Sequence, residues 1–326
     1  MKEIIIEKNQ AGQRFDKFLF KYFKEAPSSF IYKMLRKKNI VLNGKKSDGK
    51  DKLKEKDSIK IFMAEDTIAK FKGEHKTNIV KPVKLDIVYE DDNVLFINKP
   101  AGMLSQKAND NDVSLNEYVI SYLVNSGQIT EQNLETFKPA VCNRLDRNTS
   151  GLIVAGKSLE GLQIMSKMFK ERTMDKYYLA VVSGYVDSSM NIKGYLSKNS
   201  KTNKVTISQA ENNGDYIETA YEPLEYKKGL KQAGITVLKV KLVTGKPHQI
   251  RAHLASINHP IIGDYKYGKK EINDKYKETY GIKNQMLHSW QLIFEKVEGS
   301  CRNLSYKTFV ARPSKEYANF IDFQNK

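Results

Sequence analysis

Beyond about residue 85, the 326-residue chain alternates short strand-like runs with helical patterns. It does so without the regular strand–helix–strand rhythm that a parallel sheet demands. Ile87-Val88-Tyr89 and Val94-Leu95-Phe96-Ile97 flank Glu90-Asp91-Asp92-Asn93 as a hairpin-like pair. Ser114-Leu115-Asn116-Glu117 is a capping box that opens a helix ending before Gly127. Ser158 caps a second helix marked by Leu159, Leu162, Met165 and Phe169, and Ile235 to Val243 reads as a strand. No repeat of about 20–50 residues and no low-complexity tract interrupts the pattern. The expectation is an α+β fold, with flanking helices on a mixed, mainly antiparallel sheet.

Charge divides the chain. Lys and Arg total 55 against 38 Asp and Glu, a net +17. Residues 1–84 hold +11 of that excess and residues 85–326 only +6. A lysine bias of the whole genome would raise charge evenly, so the asymmetry points to an N-terminal module that faces nucleic acid. With 40 % hydrophobic and 29 % charged residues, the chain reads as globular rather than disordered. No stretch approaches the ~20 apolar residues of a membrane span. Met1 to Glu7 lacks the pattern of a signal peptide. Two cysteines, Cys142 and Cys301, make neither a disulfide framework nor a thiolate metal site. The expectations are a cytoplasmic monomer with no membrane contact, no structural metal and no obligate protein partner.

Three units are expected: residues 1–63, a linker over 64–84 with no clear period, and a domain over 85–326. In the first unit, Phe15, Phe18 and Leu19 recur at helical spacing. Ser28 or Ser29 can cap a helix through Phe30, Ile31, Met34 and Leu35, which places Lys33, Arg36 and Lys37 on one face. Ile40-Val41-Leu42 then leads into the tight-turn pair Asn43-Gly44, followed by Lys45. A basic helix face and a short hairpin can lie along a phosphate backbone, although a charge run by itself is more often a solvated face.

Three later segments carry chemistry. In Asn143-Arg144-Leu145-Asp146-Arg147-Asn148-Thr149-Ser150-Gly151-Leu152, a carboxylate lies between two cations, held ionised for use as nucleophile or base. On local sequence alone a structural Asp–Arg pair is the commoner meaning. In Lys176-Tyr177-Tyr178-Leu179-Ala180-Val181-Val182-Ser183-Gly184, a strand puts Tyr178, Ala180 and Val182 on one face; such a tyrosine could stack on a base, though core tyrosines are commoner. In Thr244-Gly245-Lys246-Pro247-His248-Gln249-Ile250-Arg251-Ala252-His253, Pro247 suits a first helical turn. Ile250, Leu254 and Ile257 form the expected apolar face, with His248 and Arg251 together on another. An arginine at a helix start can bind phosphate or anchor a carboxylate. The i, i+5 spacing of His248 and His253 is poor for a metal.

Taken together and in order, these segments resemble the RluA-type family of RNA pseudouridine synthases. The N-terminal strings resemble an S4 (α-L) RNA-binding domain, as many members carry, and the likeness is greatest to large-subunit ribosomal members. The strand Asp91 to Gly102, Gly263-Asp264-Tyr265-Lys266-Tyr267-Gly268 and Leu287-His288-Ser289-Trp290 belong to the same resemblance. Two positions depart from it: Asn143 stands where the family usually has His, and Lys246 where it usually has Arg. The resemblance implies a pseudouridine synthase fold and isomerisation of uridine to pseudouridine in RNA, large-subunit ribosomal RNA before transfer RNA, without a cofactor. It implies Asp146 as the essential carboxylate, Tyr178 stacked on the uracil and a candidate to take the C5 proton, and Arg251 paired with Asp146. Ile250 is an apolar contact, Arg144 fills the space left by the flipped base, and Thr149 and His248 are substrate-side residues. Lys33, Arg36, Lys37 and Lys45 would contact RNA. Asp264 is read as a turn residue, Lys99 and Pro100 as parts of the site wall, and the lysines of 197–204 as phosphate contacts or a plain hairpin tip. Competing readings are an RNA-binding protein without catalysis, a transfer-RNA enzyme and a DNA-binding regulator. The last lacks a base-reading helix-turn-helix.

Overall fold

A computed structural model describes residues 1–73, 79–198, 205–211, 214–228, 230 and 234–322. The N-terminal unit comprises β1 (Lys2–Ile5), α1 (Phe15–Tyr22), α2 (Ser28–Arg36), β2 (Ile40–Leu42), β3 (Ser58–Ile61) and α3 (Glu65–Lys72). Its antiparallel sheet runs β1-β3-β2. The apolar periodicity of α1 and α2 buries Phe15, Phe18, Leu19, Ile31 and Leu35 against Ile59 and Ile61. Leu42 and Lys45 exchange backbone hydrogen bonds around Asn43 and Gly44, whose φ values of 50° and 72° suit a hairpin turn. Lys33, Arg36, Lys37 and Lys45 are exposed.

Two local expectations are corrected here. Helix α2 begins at Ser28 with Pro27 as N-cap, and no serine side chain caps it. The fixed φ of proline supplies the entry geometry instead. Part of the expected linker is helical: α3 carries Glu65 and Asp66 in its first turn and Lys70 and Lys72 in its last, complementing the helix dipole. It buries Ile68 in the N-terminal core and sets Phe71 against Phe30, with ring centroids 4.2 Å apart. Two turns are too short to show a period in sequence. The unit meets the rest of the chain through a buried hydrogen bond from Gln10 to Thr136 (2.7 Å) and a Lys72–Glu135 ion pair (2.7 Å).

The larger unit is built on β4 (Ile87–Glu90), β5 (Val94–Lys99), α4 (Leu115–Asn125), β6 (Ala140–Val141), β7 (Ser150–Gly156), α5 (Leu159–Glu171) and β8 (Met174–Ser183). It continues with β9 (Met190–Lys198), β10 (Val205–Ser208), β11 (Asp215–Lys227), β12 (Ile235–Leu242), α6 (Gln249–Ser256), α7 (Lys270–Tyr280), β13 (Leu287–Phe294) and β14 (Thr308–Val310). The sheet runs β10-β9-β11-β12-β8-β13-β7-β5-β4, with β14 on β13 and β6 on β7. Among these pairings β13–β7 is parallel and the rest are antiparallel. The expected α+β, mainly antiparallel fold is therefore the observed one. Both capping expectations hold: Ser114 forms a capping box with Glu117, and the Ser158 hydroxyl accepts from the Gly161 amide.

Strand alternation sorts the core by face. Leu95, Ile97, Ile153 and Ala155 join one cluster with α4, while Val94, Phe96, Leu152 and Val154 join another with α5 residues Met165 and Met168. Gly151, at φ 109°, lies so close to β13 that a Cβ would sit 2.2 Å from the Ser289 carbonyl oxygen. Only glycine permits that approach.

The helix expected to begin with Pro247 begins at Gln249 instead, with His248 as a left-handed N-cap at φ 56°. Nor is it amphipathic: Gln249 to Leu254 are all buried, Arg251 included. It lies between the sheet and the loop bearing Asp146, so each polar side chain needs its own partner. His253 accepts or donates through Nδ1 to Thr219 (2.8 Å), and His288 bonds Ser150 (2.8 Å) and the Ala311 carbonyl (3.0 Å). Burial pushes both imidazoles down to about 4. A depressed folded pKa gives stability that is present above the unfolded value of ~6.5 and is lost as pH falls toward 4. Thermal unfolding between pH 7 and 4 should therefore show a steep fall in Tm, and His253→Gln should flatten it. A Tm independent of pH over that window would contradict the burial. Among the described residues no helix is long and apolar enough to cross a membrane.

Candidate active site

The loop between β6 and β7 carries Asp146. It is a rigid loop because its backbone polar groups are satisfied from several sides. The Asn143 side chain donates to the Leu152 carbonyl (3.2 Å) and accepts from the Val154 amide (2.8 Å). The departure at that position thus serves to staple the loop to β7. Ser105 bonds both the amide and the carbonyl of Leu145. The fully buried Lys99 ammonium donates to the carbonyls of Pro100, Met103 and Arg147, and burial pulls it down to about 8. Lys99 is therefore a brace beneath the loop; neither Lys99 nor Pro100 lines the cavity that holds Asp146, so the expectation that they form its wall is corrected. Thr149 lines the cavity, but its hydroxyl accepts from Gln285 (2.7 Å), so it props the loop.

Helix α6 brings the cation. Arg251 Nη1 donates to Asp146 Oδ2 at 2.7 Å. Its other edge is gripped by Asp264, through Nε to Oδ2 (2.7 Å) and Nη2 to Oδ1 (2.9 Å). Burial works against the Arg251 charge, yet Asp264 and then Asp146 raise its pKa above the ordinary arginine value. Asp264 is 1 % exposed and also accepts from the amides of Lys266 and Tyr267, so it does more than shape a turn. The guanidinium lies 5.2 Å from the Tyr267 ring centroid. Gln249 fixes the approach to the helix, bonding Thr244, the Lys246 amide, Thr219 and the Glu218 carbonyl. Lys246, the second departure, pairs with Asp215 at 2.7 Å. His248 holds Nε2 3.8 Å from Asp146 Oδ2 and bonds the Tyr267 hydroxyl through Nδ1 (2.9 Å). Burial pulls its imidazole below the usual value, against the opposing pull of Asp146.

Tyr178 projects from β8 into the same cavity, which has a volume of about 620 Å³. Burial pushes its hydroxyl up to about 12, against a hydrogen bond with Ser289. Ile250 supplies an apolar wall, and Arg144 stands exposed at the rim without an ion-pair partner among the described residues. Asp146, Tyr178, Arg251, Arg144, Ile250, Thr149 and His248 thus share one cavity. Lys33, Arg36, Lys37 and Lys45 belong to the N-terminal unit. The 197–204 stretch falls, from 199 onward, outside the described residues. The sequence reading missed the grip of Asp264 on Arg251 and the roles of Gln249, Tyr267 and Ser289. No local signal marks Asp264, because the burial of Arg251 that calls for a second carboxylate is visible only in the structure.

A family model described as RNA pseudouridylate synthase matches residues 93–256, just over half of the chain and inclusive of Asp146, Tyr178 and Arg251. The chain belongs to that family. It is 32 % identical to an RNA pseudouridine synthase of Mycoplasma capricolum over 96 % of this chain and 98 % of that one. It is 31 % identical to the ribosomal large subunit pseudouridine synthase C of Vibrio cholerae, over 89 % and 88 % of the two chains. The human RNA pseudouridylate synthase domain containing 1 structure is similar in fold, with TM-score 0.54, 22 % identity, and coverage of 72 % of this chain and 86 % of that one. This RNA pseudouridine synthase is an isomerase of the RluA type.

Proposed function

We propose that this synthase isomerises uridines of large-subunit ribosomal RNA in the cytoplasm, with Asp146 as the essential carboxylate. The observation that carries the reading is one carboxylate, 28 % exposed to the cavity and aimed by an arginine that a second carboxylate holds from behind. A uridine flipped out of its stack would enter the cavity, with Arg144 at the rim filling the vacated space. Asp146 then acts on the ribose, at C1′ or on a sugar proton, and the freed uracil turns against Tyr178 and Ile250. Arg251 keeps the carboxylate charged and oriented throughout. A Tyr178 hydroxyl held protonated can accept the C5 proton only by passing on its own, and the Ser289 hydroxyl is the available relay. The N-terminal unit is read as an S4-type domain that holds the RNA backbone with Lys33, Arg36, Lys37 and Lys45. Support for the ribosomal substrate comes from the name of the Vibrio relative.

Purified enzyme should release tritium from 5-tritiated uridine in a large-subunit ribosomal RNA transcript, and do so faster than from transfer RNA. Release from transfer RNA alone would overturn the substrate, and release from neither would overturn the activity. Tyr178→Phe keeps the ring and removes the hydroxyl. It should cost about 10²-fold in kcat, the usual scale of general acid–base help. Tyr178→Ala should cost roughly tenfold more, from ~1–3 kcal/mol of lost base stacking. Equal losses in the two variants would show that the ring does not stack.

A further inference from the structure

Lys176 lies two residues before Tyr178 on β8 and so on the same face, and it lines the cavity beside Phe169 and Leu242. It is 8 % exposed. Among the described residues its ammonium has neither an ion-pair partner nor a hydrogen bond. The neighbouring acid, Asp175, projects to the other face of the strand and is taken by Lys241 at 2.7 Å. Burial, and then the nearby positive charge of Arg172, lower the Lys176 pKa against a weaker opposing pull from Asp175, which makes no ion pair with it. Two other cations of the cavity wall are already compensated, Arg251 by Asp146 and Asp264, and Lys246 by Asp215.

A buried ammonium without a counter-ion is costly, and such groups are ordinarily paired. At the wall of a cavity, the missing negative charge is one that a ligand can bring. We propose that Lys176 is a phosphate subsite, engaging a backbone phosphate of the RNA strand next to the uridine in the cavity. A uracil carbonyl would satisfy the N–H groups but leave the charge uncompensated, whereas a phosphate does both. The proposal rests on the reading that the Asp146 cavity receives a nucleotide of RNA.

The test compares Lys176→Met and Lys176→Arg with wild type in the full chain, on a 5-tritiated large-subunit ribosomal RNA transcript. Lys176→Met should lower kcat/KM about 10–100-fold, the scale of a lost charged hydrogen bond, with most of the change in KM. The dependence of log K on log salt, read by filter binding, should become shallower by about 0.7–0.9. Tm without RNA should stay level or rise, because an uncompensated charge has been removed. Lys176→Arg should keep most of the activity. An unchanged kcat/KM and salt slope in Lys176→Met would overturn the subsite, as would a fall in Tm with an unchanged slope. Filter binding does not depend on turnover, so an inactive wild type would refute the proposed isomerisation while the salt slope still decides the role of Lys176.

Discussion

Asp146→Ala should abolish pseudouridine formation, by at least about 10³-fold in kcat, and leave the protein folded. The size follows from the mechanism: a reaction that works through one carboxylate has no second group to take over its covalent or proton-transfer step. The preserved fold follows from geometry. Without Asp146, Arg251 keeps both hydrogen bonds to Asp264, and the Nη1 it frees faces the open cavity and can reach water. Tm should fall by no more than about 2 °C, within the range of a partly exposed substitution. Tritium release and thermal unfolding on one preparation check both halves. Residual turnover within tenfold of wild type would move the chemistry elsewhere in the cavity. A large fall in Tm would make Asp146 structural.

Asp264→Ala should produce the converse pattern, a protein both inactive and much less stable. Arg251 and Asp264 are 8 % and 1 % exposed in their side chains, and their pairing is bidentate. Removing Asp264 strips the buried guanidinium of two of its three hydrogen bonds and of its buried counter-charge, leaving only the partly exposed Asp146, at a cost of about 3–5 kcal/mol. For a domain of this size that is of order 10 °C in Tm. Activity should fall with it, because Arg251 would no longer be held at the angle that aims Asp146. Asp264→Asn keeps the shape and two polar atoms but loses the charge, so its stability should lie between wild type and the alanine variant. If Asp264→Ala were as stable as wild type, Arg251 would have to be held by Asp146 alone, and the two-carboxylate arrangement would be wrong.

Much of the site is legible in the sequence because chemistry and spacing coincide there. Asp146 sits among the turn formers and cations of Asn143 to Gly151, just before the apolar run Leu152 to Ala155, which places it on a loop beside the sheet. Tyr178 sits in a strand whose period of two fixes its face. The Ser114 capping box and the Asn43-Gly44 turn are local devices, and local devices read well. The relation between Arg251 and Asp264 is different. The two are separated by a loop whose path no periodicity reveals, so Asp264 looks like a turn residue until the helix is seen to be buried. Helix α6 shows the same limit: apolar spacing at Ile250, Leu254 and Ile257 suggests one buried stripe, but Gln249, Arg251 and His253 are buried too, each with its own partner. The insertion of β13 between β7 and β8, which creates the parallel pair in the sheet, joins segments more than 100 residues apart. Register at that distance is set by packing that no local pattern reveals. Helix α3 is hidden for a simpler reason, since eight residues make barely two turns.

The most direct test of the central claim is pseudouridine mapping of ribosomal and transfer RNA from cells lacking this protein, complemented with either wild type or Asp146→Ala. The account predicts that specific large-subunit sites disappear and that only wild type restores them. Restoration by Asp146→Ala would contradict it.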